Sequence, residues 1–97
     1  MKNGIELIAE ERKEQIGKHH RTIADDVKYN TKGQLSVAAG ILAQKDIPEQ
    51  VKETLIPIGW DSPLWDKMLN KSYEQRLVIA GALIAAELDR LQAQKDL

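Results

Sequence analysis

Leu77-Val78-Ile79-Ala80-Gly81-Ala82-Leu83-Ile84-Ala85-Ala86 is a run of ten uncharged residues that continues without a break into Glu87-Leu88-Asp89-Arg90-Leu91. No proline interrupts it, alanine and leucine dominate, and Ser72-Tyr73-Glu74-Gln75 just before it has the form of a capping box. The segment therefore reads as one long last helix. A helix that is apolar nearly all round needs cover on more than one side. In a chain of 97 residues that makes it the centre of a small bundle, the seam of an oligomer, or both.

The stripe expected to face the core runs through Tyr73, Leu77, Ala80, Gly81, Ile84, Leu88 and Leu91, with Glu87 on its edge. Val78, Ala82, Ala85 and Ala86 lie off that stripe yet are apolar and mostly small, so they are expected to join copies of the chain. A homo-oligomer, most simply a dimer, follows as an expectation. Phe is absent and aromatic residues make up only 4%, which points to an aliphatic, alanine-rich core in which helices approach closely.

Upstream, Ile5, Ile8, Ala9 and Ile16 recur at helical spacing, with Glu6, Glu10, Lys13 and Glu14 opposite, so a first amphipathic helix should end near Gly17. Arg12 sits inside its apolar stripe. A guanidinium stays charged there and needs a partner. Glu87, also beside an apolar face, is the expected counter-charge, either in a buried salt bridge that fixes register or in a pocket where one of the two meets a ligand.

Lys18 to Asn30 shows no sustained period and reads as a loop with one helical turn at most. Thr31-Lys32-Gly33-Gln34 matches a capping box, which predicts a second helix with Leu35, Ala38, Ala39 and Leu42 as its core stripe and Val37 with Ile41 as a second edge. Pro48 suits the first turn of a short helix ending near Leu55. Ile56 to Asn70 has no periodic reading and holds both tryptophans, so it is expected to be a structured connector. The fold class is thus all-α over residues 1–97 as a single domain: three main helices and a short one, completed by oligomerisation.

Composition narrows function mainly by exclusion. A net charge of -1 gives no electrostatic footprint for a nucleic-acid polymer. With no cysteine there is neither a thiolate nucleophile nor a cysteine zinc site. The longest apolar run is about half of the ~20 residues of a membrane span, and the first residues lack a signal-peptide core. A cytoplasmic location without membrane contact is the expectation.

Three groups of side chains can carry chemistry. Glu11 and Glu14, three apart on a helix, together with Asp25 and Asp26 could hold Mg²⁺ as all-helical phosphohydrolases do, or simply be solvated. Lys18-His19-His20-Arg21 could meet an anion or a metal, or be a solvated turn. Trp60 and Trp65 offer indole faces beside charge: with Lys67 or Arg76 on a phosphate they suit a nucleotide-like ligand, and otherwise they cap the core. The reading that weighs most is a binding pocket edged by Arg12, Gln15, Trp60, Trp65, Lys67, Arg76 and Glu87, which needs no metal or cofactor.

Glu11-Arg12-x-x-Gln15-Ile16, Asp25-Asp26, Gly33-Gln34-Leu35 with Ala38-Ala39, the Trp-rich connector and the closing Ala80-Gly81-Ala82-Leu83-Ile84-Ala85-Ala86-Glu87-Leu88-Asp89-Arg90-Leu91 together resemble a family of small phage and prophage proteins. That resemblance spans almost the whole chain. It implies a phage-related origin and the cytoplasm of the host. On that footing the chain would sequester a nucleotide-derived host defence signal. The alternatives are a MazG-like, Mg²⁺-dependent nucleotide pyrophosphohydrolase and a protein–protein adaptor.

Overall fold

A computed structural model describes residues 1–18 and 22–95. The described residues form six helices: α1 (Gly4–Gly17), α2 (Ile23–Tyr29), α3 (Gln34–Leu42), α4 (Glu49–Thr54), α5 (Ser62–Leu69) and α6 (Tyr73–Lys95). The fold is all-α, as the periodicities require. None of the described helices is long and apolar enough to cross a membrane.

Helix α6 is the spine. Its 23 residues extend roughly 35 Å at the α-helical rise, and α3, α1 and α2 all pack on it. The capping box at its start forms in both directions: Ser72 Oγ accepts from the Gln75 backbone N–H at 3.2 Å, and Gln75 Oε1 accepts from that of Ser72 at 3.3 Å. The core joins Leu35, Ala38, Ala39, Ile41 and Leu42 of α3 to Trp65, Met68 and Leu69 of α5 and to Ile79, Ala80, Leu83 and Ala86 of α6. It is aliphatic and alanine-rich around one indole. The α3 stripe lies where its spacing predicts, while Val37 on the second edge is exposed.

On α6 the buried and exposed faces are exchanged relative to expectation. Tyr73, Leu77, Ile84, Leu88 and Leu91 are 40–60% exposed. Ala82 and Ala86, expected between copies, are enclosed within the chain. Of the expected stripe only Ala80 is buried, and Gly81 lies against the Ile8 side chain, which would come within 2.5 Å of an added Cβ. Small residues turn inward beside Ile79 and Leu83 because they let α1 and α3 come close, whereas Leu77, Ile84, Leu88 and Leu91 face out.

Local bonds account for the other differences. Asp25 and Asp26 occupy the first turn of α2, where they complement the helix dipole, and Thr22 Oγ1 accepts from the Asp25 backbone N–H at 3.2 Å. Seven residues are too few to show a period, so α2 reads as loop. At α3 the expected Thr31–Gln34 box is absent. Gly33, with φ at 78°, is the N-cap, which makes Gln34 the first helical residue rather than the third. Buried, its amide instead accepts from the Lys32 N–H at 2.7 Å and donates to the Tyr29 and Ile58 carbonyls. The connector contains a helix, α5, whose N-cap Asp61 accepts from the Leu64 N–H at 3.1 Å. Pro63 in its first turn and the i, i+3, i+4 spacing of Trp65, Met68 and Leu69 were the available signals.

Candidate functional site

Polar side chains rarely go inside without partners, so the buried ones locate the working parts of a small fold. Among the described residues these are Arg12, Gln15, Asp26, Gln34, Arg76 and Arg90. They serve different purposes.

Arg76 acts as a tertiary cap. Its guanidinium donates to the carbonyls of Leu42 (2.8 Å), Gln44 (2.6 Å), Lys45 (3.1 Å) and Lys71 (3.3 Å). That satisfies the end of α3 and the turn beyond it. Trp65 is likewise structural: 1% exposed, it donates from Nε1 to the Leu55 carbonyl at 2.9 Å. The Trp65 N–H is thereby committed, and four of the five Arg76 N–H donors are, although Arg76 also borders a cavity of about 310 Å³ with Lys45, Asp46 and Lys52.

A layer of charge lies between α1, α2 and α6. Arg12 pairs with Asp89 at 3.4 Å. The expected Arg12–Glu87 pair is replaced, because Glu87 is held by the fork of Arg90, which also donates to Gln94 Oε1 at 3.0 Å. The hydrogen bond to Glu87 raises the Arg90 pKa above its ordinary value; burial opposes the rise, and the charges of Glu87 and Asp26 add to it. Arg90 thus stays protonated and backs the carboxylate of Asp26 on α2.

Asp26 joins this layer to an open cavity of about 400 Å³ lined by Asp25, Asp26, Tyr29, Asn30, Leu35, Gly59, Trp60, Asp61 and Leu64. Asn30 bridges its two most informative walls. Its Nδ2 donates to Asp26 Oδ1 at 2.8 Å, and its Oδ1 accepts from Trp60 Nε1 at 2.9 Å. Trp60 is also fixed from behind. Gly59 has φ at 80° and the Trp60 N–H bonds to the Pro57 carbonyl at 3.0 Å, a type II turn in which glycine takes the left-handed position. The Trp65 indole meets Trp60 edge to face, with centroids 5.9 Å apart. A half-buried indole and a buried carboxylate are therefore preset beside one cavity.

A second cavity of about 160 Å³, on the other side of Leu64, is bordered by Glu11, Glu14, Gln15, Lys67, Met68, Lys71 and Ile79. The sequence-predicted site residues are thus dispersed. Trp60 lines the first cavity, Gln15 and Lys67 the second, Arg12 and Glu87 belong to the charged layer, and Trp65 and Arg76 support the frame. The four acids of the Mg²⁺ reading divide two and two between the cavities. Among the described residues no three acidic or imidazole side chains gather as a metal site would require. His19, His20 and Arg21 lie outside the described residues. Tyr29 and Asn30 escaped sequence reasoning because they lie at the end of a helix too short to show a period, whereas Asp61 is one of the charges that flank the tryptophans in the sequence.

No protein-family model, curated protein or solved structure matches the chain.

Proposed function

We propose that the protein is a small-molecule-binding module and that the α2 cavity is its site. The observation that carries this reading is the Trp60–Asn30–Asp26 bridge, which orders a stacking face before any ligand arrives, with the exposed carboxylate of Asp25 in the same cavity lining as the acceptor. Preorganisation of this kind lowers the ordering cost of binding. The cavity lining contains three carboxylates and no basic side chain. It therefore suits the donor-bearing end of a planar ligand and repels a phosphate. A guanine-type base meets that description, since its ring N–H and exocyclic amine lie side by side and can both donate to one carboxylate. Phosphates of such a ligand would project outward. Together with the resemblance to phage proteins, this supports a role in sequestering a nucleotide-derived signal in the host cytoplasm rather than turning it over.

The test is a titration of Trp fluorescence with guanosine, its nucleotides and cyclic dinucleotides in the absence of Mg²⁺. At least one is expected to shift the Trp60 emission, and Trp60→Ala and Asp25→Asn are each expected to weaken binding by tenfold or more. Mg²⁺-dependent release of pyrophosphate from a nucleoside triphosphate, abolished by Glu11→Gln, would overturn the reading in favour of an enzyme. No response to any of these compounds would also overturn it and leave the adaptor.

A further inference from the structure

The outward face of α6 carries Leu77, Ile84, Leu88 and Leu91, with Tyr73 at its edge, each 40–60% exposed. On a helical wheel they fall within an arc of roughly 60–80° along nearly the whole helix, as in a helix–helix seam. Their exposed surface amounts to roughly 400 Å², within the range of the largest apolar patch on a monomer and close to the apolar share of the ~800 Å² that each partner contributes to a standard interface.

We infer that this face docks on the same face of a second copy, with the two α6 helices antiparallel about a two-fold axis at Ile84. Except at Leu88, whose symmetry-related position is the buried Ala80, the strip is self-complementary in that direction. Leu77 and Leu91 lie seven residues to either side of Ile84, and Tyr73 and Lys95 lie eleven to either side. Leu77 thus meets Leu91 of the partner subunit, Ile84 meets Ile84 of the partner subunit, and Tyr73 faces Lys95 of the partner subunit, an ammonium over a phenol ring. Glu74 in the first turn and Lys95 in the last are both exposed. Antiparallel packing brings these opposite charges together at each end of the seam and aligns the helix dipoles favourably, whereas a parallel pair would set Glu74 beside Glu74 of the partner subunit and Lys95 beside Lys95 of the partner subunit. Ile8, seated on Gly81, closes the flank of α6 next to this strip, which leaves one direction of approach.

Sedimentation at about 50 µM, where a dimer of micromolar affinity is mostly assembled, is expected to give a dimer for the wild type and a monomer for Ile84→Glu with unchanged helical circular dichroism. The chain has no native cysteine, so orientation can be read by cross-linking. Under oxidation, Leu77→Cys mixed with Leu91→Cys is expected to give a disulfide-linked heterodimer. Leu77→Cys alone is not, because two copies of that position lie roughly 20 Å apart along an antiparallel seam and a disulfide spans at most about 7 Å between Cα atoms. A monomeric wild type overturns the inference, and so does Leu77→Cys cross-linking to itself. The Trp60 titration repeated on monomeric Ile84→Glu separates this result from the fate of the α2 cavity.

Discussion

The two faces of α6 differ in a way that size and hydrophobicity would not suggest. The inward face is built from Ala80, Ala82, Ala86, Ile79 and Leu83 and carries two arginines, Arg76 and Arg90; the outward face carries three leucines and an isoleucine. The inward face works by closeness. Alanine lets α1 and α3 approach the α6 backbone, and the arginines span the remaining gaps to carbonyls and carboxylates. Burial on α6 therefore follows what packs against each position rather than how apolar that position is.

One substitution placed on each face gives the largest contrast. Ala82→Glu introduces a carboxylate into a fully enclosed position, with an expected loss of about 4 kcal/mol or more and a largely unfolded protein by circular dichroism. Ile84→Glu, two residues away, is expected to keep the helical signal and the urea midpoint of an isolated protomer. Equal damage from both would mean that the faces are assigned wrongly.

The arginines sharpen the comparison next. Arg76→Lys keeps the charge but loses the planar fork, so the Leu42, Gln44 and Lys45 carbonyls are no longer all served together from one fixed plane. The expected cost is about 2–4 kcal/mol in urea unfolding. A cost below about 1 kcal/mol would show that water replaces the guanidinium and that the end of α3 is open.

The smallest effect concerns the contact with α1. Gly81→Ala raises helix propensity by about 0.5–1 kcal/mol, but the new Cβ would lie 2.5 Å from Ile8 Cδ1. In the wild type the substitution is expected to destabilise slightly. In an Ile8→Ala background it is expected to stabilise by about the propensity gain. The absence of this reversal in paired urea curves would place α1 somewhere other than on Gly81.

How far the sequence could be read depended on the range of the contacts involved. The Ser72–Gln75 box and the Leu35, Ala38, Ala39 and Leu42 stripe were legible because each needs neighbours only a few residues away. The burial of Arg12 was legible too, along with the need for an acid on the last helix. The acid is Asp89 rather than Glu87, since two residues on a helix differ by roughly 200° and only the crossing of α1 over α6 selects between them. The two tryptophans divide: Trp65 is buried in the core, while Trp60 packs on that core half-buried and lines the cavity.

By itself the sequence determined that this chain is helical, where several helices begin, and that its core is aliphatic and rich in alanine. These follow from hydrogen bonds and periodicities within single segments. Only the tertiary structure decided which face of α6 is inside, and only it joined Asn30 to Trp60, thirty residues apart, and Arg76 to Leu42, thirty-four apart. Such contacts depend on crossing angles and on the paths of short connections, which local propensity leaves open.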